Sequence, residues 1–521
     1  MFATLALFGI LGLPLIVGAL QRSLVSFAAP HPGLEKAALG TAIGGALLSL
    51  IAAWIWWRLR SSYTYDVIIG GWSNVSFVGT PLAVSGSIAA ACAVLALAVA
   101  RVAQVFDLTA AMRVEAVTSQ GILALGAGLA LLGDTAPTLL IGIGLMNLAG
   151  VWSAARQQSG RLAMRAFGPQ IIALLLISFV FTLHASNGDD RLHMMQIAAS
   201  PLLVTILSAS ICLQANLLPF GATRDASSEL QTTAGLLGAL AILNQGSTPK
   251  SWVFALAAIT CVYWSIRALG ASDSELQHAR IRQATAAFAV LLGATMPGLA
   301  ATAWLLGNAL LTIPGAGRVL GIACLLGLPG TTGFFAYASA SEALRANNLL
   351  DIALLMLRAG SLAMLTFALL RFAAGDRTPA ALITSARREL FPDQRQIPAL
   401  ALLAAHALIF GIVGWMLGTS SLIDTAAAMQ PISWISLASG ILLGAGLWRI
   451  NSASGRSADA LPRADALLSN VEDAFAPVFA ALDRARNSFG AALALIQSDG
   501  ALLLAGLALI IAVLVSGQTT P

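Results

Sequence analysis

The chain has 521 residues, 58% of them hydrophobic and only 10% charged, with a mean hydropathy of +0.85. Soluble domains carry about 25% charged residues, so the composition excludes a soluble enzyme and specifies an integral membrane protein. The 28 Lys+Arg exceed the 23 Asp+Glu too slightly for nucleic acid to be a partner, and the basic residues lie in loops, where the positive-inside tendency accounts for them.

An all-α polytopic fold is expected, and each spanning helix needs about 20 apolar residues. In chain order, spans fall near 2–20, 37–57, 79–105, 116–133, 136–155, 167–186, 195–218, 231–247, 251–270, 283–297, 298–313, 319–340, 349–374, 396–419, 432–449 and 500–517. The total is about 14–16, because the runs between 283 and 340 are short and interrupted. The first run, "MFATLALFGILGLPLIVGAL", has no basic residue before it, which is the pattern of a retained helix and not of a cleaved signal. Taking the loops alternately, 21 of the 28 Lys+Arg fall on one side and five on the other, while Arg101 and Arg358 lie within spans. This bias favours two helices over 283–313, places both termini outside, and assigns the Arg377–Arg395 and Arg449–Arg486 loops to the inside.

Two apolar runs carry the same interruption, "NLLPFGATRD" at Pro219 and "LGLPGTTGFF" at Pro329 and Gly333. Proline removes a backbone donor and glycine lets the chain unwind. Freed backbone groups at membrane depth persist only where protein or a wet cavity satisfies them. A matched pair of broken helices points to two inverted repeats. Between Arg449 and Asp499 the composition becomes more polar, and Leu468, Val471, Phe475, Val478, Phe479, Leu482, Phe489 and Leu493 recur at three- and four-residue spacing. That pattern is an amphipathic surface helix.

These stretches resemble the antiporter-like membrane subunits of respiratory complex I and of Mrp-type cation/proton antiporters. That family has a glutamate in a "W-E-L-M"-like helix, a lysine ahead of the proline of a broken helix, and a second break reading "G-L-P-P-x-x-G-F-F-x-K". In this sequence, "LLIGIGLMNLAG" resembles the first with Gly144 at the glutamate's position. "LQANLLPFGATRDA" resembles the second, one residue short, with Gln214 at the lysine's position and Gly221 at a histidine's. "SELQTTAGLLGALA" follows it, with Gly238 near the position of a further histidine or lysine. "LGLPGTTGFFAY" resembles the third, with Tyr337 in place of its lysine, and Arg280 keeps a positive charge where the family has a "D-x-K-R" stretch. The resemblance covers about Ser119–Leu370.

It implies N-terminal helices over 1–115, antiporter-like repeats over 116–270 and 271–375, further helices over 376–449, the surface helix over 450–498 and a last span over 499–521. It implies partner subunits in a hetero-oligomeric membrane assembly of a bacterial inner membrane. It also implies that the titrating positions Gly144, Gln214, Gly238 and Tyr337 have lost their proton chemistry. Arg280, Asp351 and Arg358 remain as candidates for a relay or an ion pair, with Asp351 two helical turns from Arg358. No cofactor, metal ligand set or catalytic residue is expected: the sequence has no phosphate loop or nucleophile elbow, and the cysteines Cys92, Cys212, Cys261 and Cys324 have no metal or redox spacing. Three functions are compatible with this reading: a divergent scaffold or coupling subunit of a complex I-related assembly, an active proton or cation translocator with relocated titrating groups, and an unrelated secondary transporter.

Overall fold

The computed structural model describes residues 110–132, 136–157, 160–185, 201–218, 229–244, 251–271, 273–293, 296–313, 315–343, 349–374 and 430–453, two short strands, and a few isolated positions. The expected spans at 2–20, 37–57, 79–105, 396–419 and 500–517, the amphipathic helix, Pro219 and Gly221 lie outside the described residues. Strands β1 (Tyr65–Val67) and β2 (Val75–Phe77) pair antiparallel. All other described elements are helical.

The helices run α1 (Ala110–Leu132), α2 (Ala136–Gln157), α3 (Gly160–Ala185), α4 (Pro201–Gln214), α5 (Glu229–Asn244) and α6 (Ser251–Leu269). They continue as α7 (Ser274–Leu292), α8 (Pro297–Leu311), α9 (Ala316–Leu326), α10 (Thr332–Ala343), α11 (Leu349–Ala374) and α12 (Pro431–Ala453). Among the described residues, α6, α11 and α12 are long and apolar enough to cross a membrane. The shorter apolar helices include the apolar stretches of α1, α2 and α3, and all of α4, α8 and α9. The stretch 283–313 is two helices. Gly293 closes α7 by donating to Ala289 and Val290, and Pro297 opens α8 at a position where a missing N–H costs nothing.

The packing repeats itself. α1 packs on α2, α2 on α3 and α3 on α4, and α5 returns to α1 and α2. In the second set, α6 packs on α7, α7 on α8 and α8 on α9, and α11 returns to α6 and α7. The two sets meet where α5 lies against α7 and α8. α5 is buried on all sides from Gln231 to Leu243, and α8 from Pro297 to Leu311. Such all-round burial suits a helix that is apolar on every face.

Lipid tails are as apolar as leucine, so close backbone approach replaces the hydrophobic drive in holding membrane helices together. A Cβ on Gly142 of α2 would come within 2.5 Å of the Ala130 nitrogen of α1, and one on Gly321 of α9 within 2.7 Å of the Gly307 oxygen of α8.

Candidate functional site at two helix breaks

Helix α4 stops at Gln214, five residues before Pro219. Asn216 adopts the left-handed conformation at φ 52°. Its N–H donates to Leu213 O (3.3 Å), and the N–H of Leu217 reaches back to Cys212 O (2.9 Å). This is a Schellman termination with asparagine in the left-handed place. The next backbone donor, Leu218 N, gives its hydrogen bond to Thr260 Oγ1 of α6 (2.9 Å), and that hydroxyl donates to Leu256 O (2.6 Å). Protein therefore satisfies the freed backbone, as a helix end at membrane depth requires.

Helix α9 ends in the same way. Gly327 is left-handed at φ 71°, its N–H donates to Cys324 O (3.3 Å), and Leu328 N donates to Ala323 O (2.9 Å). Pro329 and Gly330 (φ 86°) then occupy the centre of a turn closed by Thr331 N donating to Leu328 O (3.2 Å). Proline followed by glycine at positive φ is the type II arrangement. α10 starts directly after it. Its Gly333 lies so close to the end of α9 that a Cβ there would overlap the Cys324 carbonyl. Gly235 of α5 has the same relation to the Gln214 carbonyl at the first break.

At the first break Gln214 is wholly buried. Its Nε2 donates to the Gln170 carbonyl of α3 (3.2 Å), and Gln170 Nε2 donates in turn to the Gln231 carbonyl of α5 (2.9 Å). The side-chain oxygens of both Gln170 and Gln214 accept nothing from the described residues. Gly238 belongs to this cluster, since a Cβ on it would stand 3.1 Å from Gln214 Oε1. Gly144 does not: a Cβ there meets nothing within 4 Å. One turn further along α2, Asn147 is buried with neither amide atom partnered among the described residues. The cluster offers amide donors and acceptors that can hydrogen-bond water, and no group that titrates near neutral pH.

At the second break Tyr337 is wholly buried and donates to Ser436 Oγ of α12 (3.2 Å). The Arg358 guanidinium of α11 lies 4.3 Å from the Tyr337 ring centroid, and its Nη2 donates to Ser341 Oγ, one turn beyond Tyr337. Arg358 is itself wholly buried, and its Nε and Nη1 have no hydrogen-bond partner among the described residues. A ring face is worth about 2 kcal/mol to a desolvated cation, and a hydrogen bond from a charged group about 1.5–3 kcal/mol. Neither neutralises the charge. The expected pairing with Asp351 is not what this side chain makes. Asp351 lies in the first turn of the same helix, while Arg358 reaches across to α10.

Arg280 has a structural contact: its Nη1 donates to the Arg267 carbonyl (2.5 Å), in the last turn of α6. A cation at a helix C-terminus meets the negative end of the helix dipole. Nearby, Arg282 lies 3.9 Å from Glu229, joining α7 to the start of α5. Gln170, Asn147, Ser341 and Ser436 escaped the sequence reading. Gln170 directly follows Pro169 inside α3, and an amide beside a helix-interior proline was the available signal. Ser341 is four residues after Tyr337, the spacing of one helix face. Ser436 gives no such signal, because only folding brings α12 to α10.

No family model and no curated protein matches the sequence. Solved structures do. A chain of the Mrp complex from Dietzia sp. DQ12-45-1b superposes with a TM-score of 0.64 at 15% identity, covering 98% of this chain and 63% of that one. This chain has that fold. A chain of the membrane-bound sulfane sulfur reductase, an archaeal respiratory membrane complex, superposes with a TM-score of 0.56 at 16% identity, covering 78% of this chain and 76% of the other. The protein is thus an integral membrane protein with the fold of these two membrane-complex chains, and it spans less than two thirds of the length of the Mrp chain.

Proposed function

We propose that this chain is a non-conducting scaffold or coupling subunit of a complex I-related membrane assembly. The observation that carries this reading is the contrast at the two breaks. Both terminations are fully built, but the side chains facing them are Gln214 and Tyr337, in amide and hydroxyl contacts. The backbone architecture is kept, and among the described residues Gln214 and Tyr337 bring to the breaks no group that exchanges protons near neutral pH. The repeated packing scheme supports two structural repeats over 110–244 and 251–374, so that α6 opens the second repeat where the expected bounds, 116–270 and 271–375, had it close the first. In the same reading the protein sits in a bacterial inner membrane with both termini outside, and the amphipathic segment expected over 450–498 lies along neighbouring subunits.

Affinity purification of the tagged chain in mild detergent tests the assembly claim. Other membrane subunits are expected to copurify in fixed ratio. A chain that purifies alone and transports a solute by itself would establish the unrelated-transporter reading instead.

Arg358 favours a second reading, an active translocator with a relocated charge, because it brings a cation to the second break. Arginine holds its proton throughout the accessible pH range, which makes it a poor carrier. The scaffold reading is therefore the stronger.

A further inference from the structure

The geometry points to a small-anion site at Arg358, taking a single monovalent anion of halide or carboxylate type between α10 and α11. The guanidinium is wholly buried and offers unpartnered donors on Nε and Nη1. Its remaining contacts are uncharged: the Ser341 hydroxyl and the face of Tyr337. Among the described residues no carboxylate pairs with it. Arginine cannot escape by losing its proton, as a buried lysine would. A buried charge must be paired, and water can satisfy its N–H groups without cancelling it.

Position along the helix decides what kind of anion fits. Arg358 is nine residues into α11, about 14 Å along at 1.5 Å per residue. That depth separates it from lipid phosphates at either surface, so the ligand must enter the protein as a small free ion. The Arg358 Cζ lies over the Tyr337 ring and Nη2 is taken by Ser341, which leaves Nε and Nη1 for the ligand. Tyr337 is anchored from its other end by Ser436. This site differs from the scaffold role and does not depend on it: a bound anion makes the second break electrically neutral whether or not the subunit conducts.

The test is equilibrium binding of radiolabelled chloride to the full-length protein, purified from its membrane with its retained subunits and placed in zwitterionic-lipid nanodiscs. Bromide and formate serve as competitors. The wild type should bind chloride saturably, and Arg358→Met should lose about one equivalent per chain. Arg371→Met, near the end of the same helix, should keep it. Arg358→Lys retains the charge without the planar donors, and should bind at least tenfold more weakly, which covers the case where the methionine variant does not fold. Glu342→Gln checks for an internal counter-ion, because Glu342 follows Ser341 in the sequence. Unchanged chloride binding in that variant supports the site. Wild-type protein without saturable binding, Arg358→Met with undiminished binding, or chloride binding that appears only in Glu342→Gln would each overturn it.

Discussion

Asn216 and Gly327 hold the same place in two helix terminations more than a hundred residues apart. Each is left-handed, at φ 52° and 71°, and each is followed by a leucine whose N–H returns to the carbonyl five residues before it. The left-handed conformation costs a residue with a Cβ about 1–2 kcal/mol, less for asparagine and nothing for glycine. Asn216→Gly should therefore leave thermal stability unchanged or slightly raised, and Asn216→Val should lower it by about 1–2 kcal/mol. Gly327→Ala should cost more, because its Cβ would also stand 3.0 Å from the Gly333 carbonyl oxygen. Tryptophan-fluorescence melting in detergent measures all three, and an Asn216→Val protein as stable as wild type would contradict the capping role.

Glycine positions separate close packing from open space. Gly333→Ala and Gly235→Ala drive a methyl group into the Cys324 and Gln214 carbonyls. Backbone atoms cannot rotate away, so both variants should be severely destabilised, by more than about 4 kcal/mol or to the point of failing to accumulate. Gly144→Ala meets nothing within 4 Å inside a helix. It should be neutral or stabilising by up to about 1 kcal/mol. Folded yield and melting temperature of the three variants in parallel provide the check.

Much of the helical layout was legible in the sequence. α2, α6 and α11 fall within two residues of the apolar runs at 136–155, 251–270 and 349–374, because run length alone sets them. The division between α7 and α8 followed from the charge bias, and Pro297 is its physical cause. The second break was legible because glycine and proline sit where the helix ends. At the first break the proline drew attention five residues too late, since Asn216 already supplies the left-handed cap. Side-chain partners were the least legible part. Arg358 is visible in the sequence as a charge within a span, and spacing offers it Asp351 on its own helix. The fold supplied Tyr337 and Ser341 from a neighbouring one. Sequence spacing encodes neighbours on one helix face and carries no record of which helix lies opposite.

The asymmetry of basic residues predicts the Lys250 loop outside and the Arg377–Arg395 segment inside. An impermeant thiol reagent added from outside should label Lys250→Cys and spare Arg387→Cys. Among the described residues Cys212, Cys261 and Cys324 are buried, and Cys92→Ser removes the fourth cysteine from the background. The reverse labelling pattern would invert the topology.

The central claim is that the breaks keep their backbone architecture without moving protons. It is tested most directly by protons translocated per turnover in the assembly reconstituted in vesicles, followed with a pH-sensitive dye. Gln214→Leu and Tyr337→Phe each remove a hydrogen bond worth about 1 kcal/mol and no group that titrates near neutral pH. With the assembly intact, both variants should move as many protons per turnover as wild type. Replacing a buried lysine in a conducting subunit of the same assembly should sharply reduce the ratio. A large drop in Gln214→Leu would show that protons pass through the glutamine cluster, and the scaffold account would fall.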